Sequence, residues 1–129
     1  MQFKDVIGND ELKNQLINSV ENNRLSHSQL FLGNPGGSKL AIAIAFAQYI
    51  NCTRKTTSDS CGECQSCVKY SMLTHPDLHL VFPVLSINGI KKVVSDNFVK
   101  EWRIEVLNNP YLNLHNWFDI FSSENKSGK

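Results

Sequence analysis

The sequence lacks the features that mark a membrane protein, a secreted scaffold or a nucleic-acid arm. No apolar run approaches the about 20 residues of a bilayer span, and none carries the flanks of a signal peptide. Charge of one sign is missing too: 13 Lys+Arg face 12 Asp+Glu, for a net charge of +1. The balance is local as well as global, with four basic against four acidic residues in 1–51, three against two in 52–75, and six against six in 76–129. Counterion-driven binding to nucleic acid needs a basic stretch, and none is present. Seven glycines and four prolines are too few for a collagen-like chain, and the even charge excludes a highly charged disordered one. Internal repeats and low-complexity segments are absent. What remains is a chain of 129 residues, 41% hydrophobic, long enough for one domain with a real core.

Cysteine is absent everywhere except in one short stretch. Cys52, Cys61, Cys64 and Cys67 follow a C-x8-C-x2-C-x2-C pattern. Two disulfides in so short a loop, without a secretion signal, would be unusual. Four thiolates around one tetrahedral zinc ion are a better reading, because closely spaced C-x2-C pairs converge easily; free buried or redox cysteines are the alternative. Cys64 and Cys67, three residues apart, fit one face of a helical turn, and Gly62 permits the tight turn after Cys61. Asp59 and Glu63 are too few to compete as ligands, and zinc prefers sulfur. A four-sulfur site is closed, so its role is expected to be structural and not catalytic. His75 is a weaker candidate for replacing one cysteine.

Hydrophobic spacing gives the remaining elements. Asn9 is expected to cap a helix from Asp10 to about Asn22, with Leu12, Leu16, Ile17 and Val20 as its buried stripe. Residues 28–33 read as a short strand around Leu30, Phe31 and Leu32. Lys39 to Ile50 is apolar almost all round, as a buried helix is. A short helix is expected from Cys64 to Met72. Residues 78–84 alternate like a strand, with Pro83 at its end or edge. Ser86 to Gly89 reads as a turn. Ser95 or Asp96 is expected to cap a helix to about Leu107, with Phe98, Val99, Trp102 and Val106 facing inward. Leu114, Trp117, Phe118 and Phe121 mark a last helix, and 122–129 reads as a loose tail. Trp102, Trp117 and Phe118 at this spacing read as core, not as a base-stacking platform.

The turn after the first strand is Gly33-Asn34-Pro35-Gly36-Gly37-Ser38-Lys39-Leu40. It sits between strand and helix, as a phosphate-binding G-x-x-x-x-G-K-[ST] loop does. Gly33 and Lys39 occupy the matching places. Ser38 stands where the second glycine belongs, and a side chain there obstructs close wrapping of phosphate. Leu40 stands where a hydroxyl would ligate Mg²⁺, and it offers no such oxygen. Three readings stay open: a plain glycine-rich turn, weak non-hydrolytic nucleotide binding, and true hydrolysis.

In combination these segments resemble the AAA+ clamp-loader family. The carrying residues are 3–9 (Phe3 to Asn9), 24–36 (Arg24 through Gly33 to Gly36), the four cysteines after the loop helix, and His75-Pro76-Asp77 leading into a strand. The resemblance spans about residues 1–84. It implies an α/β fold: a three-layer P-loop NTPase/AAA+-like parallel sheet with helices. A zinc module at 51–73 would be inserted in it, and a helical insertion would follow at about 85–121, within a domain of 1–121. Ser38 and Leu40 place the sequence nearer the delta-prime type, whose loop is often degraded, than the ATP-hydrolysing gamma/tau type. Gly33, Gly36, Gly37, Ser38, Lys39 and Leu40 would then form a weak or vestigial phosphate loop, and Val6 and Ile7 fall where relatives line the adenine pocket. The implied role is a non-catalytic, cytoplasmic subunit of the DNA polymerase III holoenzyme, a DNA-directed DNA polymerase. Its implied partners are the gamma/tau and delta subunits, and, through the assembled complex, the sliding clamp and primed DNA. An active gamma/tau-type ATPase and a nucleic-acid-binding zinc module are the alternatives. The family's acidic Walker B pair, sensor motif, arginine-finger motif, lid and oligomerisation domain have no counterpart here, so an N-terminal portion of a longer subunit is expected.

Overall fold

Among the described residues five α-helices arise close to where the sequence places them, and the chain divides into two compact units, Met1–Leu78 and the residues from His79 on. The computed structural model describes residues 1–86 and 92–124, the last four by backbone alone. Each unit has its own core.

The first unit begins with a 3₁₀ turn, Phe3–Asp5, followed by α1 (Asp10–Glu21). Asn9 occupies the cap position of α1, but in a left-handed conformation and without a capping bond. Its side chain donates to Ser38 Oγ instead (2.8 Å). Leu16 and Ile17 are buried as expected, whereas Leu12 is partly exposed. Helix α2 (Lys39–Asn51) is the axis of this unit, and buries Ala41, Ile42, Ile44, Ala45, Phe46, Gln48 and Tyr49. It packs against α1, against the 3₁₀ turn and against α3 (Gln65–Ser71). Fully buried Ala41 and Ala45 let the neighbouring backbones approach, and the Phe3 and Phe31 rings pack on Tyr49 and Phe46.

The expected sheet is not formed by the described residues. Residues 28–33 and 78–84 carry no strand, because a strand exists only through ladder bonds to a neighbour and neither segment has one. Their side-chain alternation nevertheless survives. Leu30 and Leu32 are 81% and 82% exposed, while Phe31 between them meets Phe46. Phe82 is buried beside an exposed Val81.

In the second unit a 3₁₀ turn, Ser95–Phe98, leads into α4 (Val99–Asn108), and α5 spans Leu114–Glu124. Ser95 does not cap α4. Its hydroxyl donates to Phe82 O (2.8 Å) and accepts from Phe82 N (3.1 Å), which fixes the 82 backbone. The core is aromatic: Phe82 stacks on Trp102 at 4.3 Å, and Trp117 meets both edge-on. Trp117 Nε1 donates to Pro83 O (2.7 Å), so its polar edge is satisfied in the interior. Helix α5 continues through residues 122–124, where a loose tail was expected, because the helical spacing of Leu114, Trp117 and Phe118 carries it another turn. Residues 125–129, most of the expected 86–89 turn and Lys91 lie outside the described residues. Among those described, no helix is long and apolar enough to cross a membrane.

Candidate functional site

Helix α2 carries chemistry at both ends. It rises from the glycine-rich loop and stops at the first cysteine, so the two features lie about 20 Å apart along its axis.

At the C-terminal end the chain brings all four cysteines together. Cys52 follows the last turn of α2, and its N–H donates to Tyr49 O. Cys61 returns after the loop of residues 53–60, with its N–H directed to Cys52 Sγ (3.3 Å). Gly62 adopts φ +77°, a left-handed turn that side chains disfavour. An added Cβ there would also come within 2.9 Å of Gln2 Oε1. Cys64 caps α3, its Sγ accepting from Cys67 N (3.5 Å), and Cys64 N donates to Cys61 Sγ (3.3 Å).

The sulfurs of Cys52 and Cys61 are 3.6 Å apart, those of Cys61 and Cys67 4.0 Å, and all four lie within 4.8 Å of one another. Sulfurs at the corners of a tetrahedron around zinc, with Zn–S near 2.3 Å, would be separated by about 3.8 Å. The donor set and its spacing therefore suit one metal ion such as zinc. Cys52, Cys64 and Cys67 are buried, and the four are free thiols. Backbone N–H groups pull the Cys61 and Cys64 thiols below the usual range, whereas burial pushes Cys67 up. An ion would remove that conflict, since a coordinating thiol is held deprotonated.

Among the described residues no other candidate joins the cluster. Glu63 forms an exposed ion pair with Arg54 (3.6 Å). His75 stacks on Tyr70 at 4.5 Å, and its Nδ1 accepts from Asp77 N. Asp59 faces the N-terminal segment, a role its sequence position did not reveal. Its partners, Phe3 N and Lys4 N, are 56 and 55 residues away.

At the N-terminal end, the loop is closed by its own groups. Lys39 Nζ donates to Gly33 O (3.0 Å) and Asn34 O (2.8 Å), and Gly37 N donates to Asn34 O (3.0 Å). Gly36 supplies the required left-handed residue at φ +75°. Ser38 is the residue before α2, and its hydroxyl accepts from Asn9 rather than facing an anion site alone. A cavity of about 210 Å³ lies against the loop, lined by Asn9, Leu12, Phe31, Gly37, Lys39 and Ile42 among others. That is below the about 300 Å³ at which small-molecule sites usually begin. Val6 and Ile7 do not line it: Val6 is buried and Ile7 is 78% exposed.

A cysteine cluster and a lysine-bearing glycine loop thus stand at opposite ends of one helix, and the sequence comparisons supply the family. The family described as DNA polymerase III, delta subunit, matches residues 8–120, and the chain belongs to that family. Among curated relatives, the tau/gamma subunit of DNA polymerase III from Haemophilus influenzae is 42% identical over 65 residues, covering 50% of this chain and 9% of the relative. The delta' subunit from Bacillus subtilis is 41% identical over 68 residues, 53% of this chain and 20% of the relative. The gamma/tau subunit from Mycoplasma pneumoniae is 28% identical over 110 residues, 85% of this chain and 15% of the relative. The chain thus spans a fifth or less of the length of these relatives. No solved structure matches it.

Proposed function

We propose that this chain serves as a non-catalytic, delta-prime-like clamp-loader subunit of DNA polymerase III. In this reading Cys52, Cys61, Cys64 and Cys67 hold a structural zinc ion. Gly33, Gly36, Gly37, Ser38, Lys39 and Leu40 form a vestigial phosphate loop. Residues 51–73 are a zinc module inserted in a P-loop domain, and about 85–121 are a helical insertion. The subunit would act in the cytoplasm beside gamma/tau and delta subunits, reaching the sliding clamp and primed DNA through the assembled complex.

The observation that carries the reading is the state of the loop. Leu40 supplies no oxygen for Mg²⁺, the Lys39 ammonium is satisfied by the loop's own carbonyls, and Ser38 is tied to Asn9. A loop closed in this way supports a scaffold role better than phosphoryl transfer. The similarity to tau/gamma relatives supports a second reading, an active ATPase. A third, nucleic-acid binding by the zinc module alone, is disfavoured by the near-neutral charge.

Elemental analysis together with a fluorescent ATP titration separates them. One zinc per chain, with no Mg²⁺-dependent nucleotide binding, is expected. Micromolar Mg²⁺-dependent affinity that disappears in Lys39→Ala would favour the ATPase. Steeply salt-dependent DNA binding would favour the nucleic-acid module.

A further inference from the structure

We propose that Asp59 is a positioning residue for the metal centre, acting with Ser60 and Gln2 as a clasp between the N-terminal segment and the cysteine loop. The proposal rests on the metal reading of the four cysteines. Three of those cysteines are placed by regular elements or tight turns: Cys52 by the end of α2, Cys64 and Cys67 by the start of α3. Cys61 must be brought back to Cys52 by residues 53–60, which contain no helix or strand. Ordering such a loop costs conformational entropy, and something must offset that cost if the sulfurs are to converge.

The offsetting contacts converge on the two residues before Cys61. Asp59 Oδ1 accepts from Phe3 N (3.0 Å) and Ser60 N (2.7 Å), and its Oδ2 accepts from Lys4 N (3.0 Å). A carboxylate with three backbone N–H donors is held firmly, since hydrogen bonds to charged groups are the stronger kind. Ser60 is gripped from two further directions. Its hydroxyl accepts from Gln48 Nε2 on α2 (3.0 Å), with both residues buried, and its carbonyl accepts from Gln2 Nε2. Thr56 closes the loop from within, its N–H and hydroxyl both donating to Asp59 O (2.9 Å). The next residue is Cys61, whose N–H points at Cys52 Sγ. The backbone that leads into Cys61 is thus held by groups that never touch the ion, while Cys64 N and Cys52 Sγ meet Cys61 itself. By linkage, an ion bound to the cysteines will in turn hold residues 2–4 in place.

Chelator-competition titration of zinc into the full chain and its variants tests this. Loss of a supporting contact of this kind typically weakens metal binding about 10–100-fold. Asp59→Ala is expected to fall in that range, and Gln2→Ala to shift in the same direction by less. Glu63→Ala removes an exposed carboxylate beside the knuckle and is expected to leave affinity unchanged. In the unsubstituted chain, zinc should slow hydrogen exchange at the Phe3 and Lys4 amides, and in Asp59→Ala that zinc-dependent protection should vanish. A purely structural contact would lower the stability of the metal-free and metal-loaded chains equally and leave affinity untouched. Unchanged affinity in both Asp59→Ala and Gln2→Ala, or an equal loss in Glu63→Ala, overturns the proposal while leaving the metal reading intact. No zinc uptake by the unsubstituted chain overturns both.

Discussion

Tyr49 shows at the scale of one residue how burial sets chemistry. Its ring is fully buried on α2, and its hydroxyl donates to Glu21 Oε1 of α1 (2.9 Å). Burial, followed by that bond and the Glu21 charge, pushes its pKa up to about 12. An unfolded tyrosine ionises near 10, so between about pH 10 and 12 the unfolded chain gives up this proton and the folded chain keeps it. Stability from this group is therefore complete below pH 10 and lost as pH rises through the folded value. Denaturant titrations across that range should show a declining midpoint, and Tyr49→Phe should flatten the decline. The tyrosine's burial follows from an apolar helix. Its pairing with Glu21, 28 residues earlier, does not, because sequence spacing carries no information across that distance. Asn9 makes the same point. Its place before α1 was legible, but its hydrogen bond was not, because Ser38 comes near only when α1 and α2 pack.

Elements were read more securely than single contacts. Among the described residues the five α-helices fall within a few residues of where the sequence put them, since apolar residues at helical spacing have to be buried whatever covers them. Strands depend on a neighbour for all of their ladder bonds, and the two segments with strand-like alternation have none among the described residues. Capping was misread at α4 for a related reason: the Ser95 hydroxyl serves the backbone at Phe82, a contact 13 residues away. In the second unit the helices depend on one aromatic cluster, which holds both tryptophans of the chain. Trp117→Ala removes a ring with no exposed surface and a buried hydrogen bond, and should cost about 3–5 kcal/mol. Denaturant unfolding followed by near-ultraviolet circular dichroism would read the loss, because Trp102 and Trp117 report the same packing.

For the molecule as a whole, the central question is how far an ion held by the four cysteines would support the fold. The core around α2 includes Ala41, Ile42, Ile44, Phe46 and Tyr49, none of them part of the cysteine cluster. Cys61→Ser, or chelation of the metal-loaded chain, should therefore leave α1 and α2 helical while residues 52–70 lose hydrogen-exchange protection. Cooperative loss of all helical signal would instead make the centre a condition of the fold. The sequence by itself determined the four clustered cysteines, the helices of the described residues, the Ser38 and Leu40 departures in the glycine-rich loop and the family, because these rest on residue type and short-range spacing. Only the tertiary structure decided that Asp59 faces the N-terminal segment, that Ser38 is held by Asn9, and that the sulfurs lie within reach of one ion. Those facts join residues 29 to 56 positions apart, or turn on ångström-scale convergence, and a chain fixes such distances only by packing.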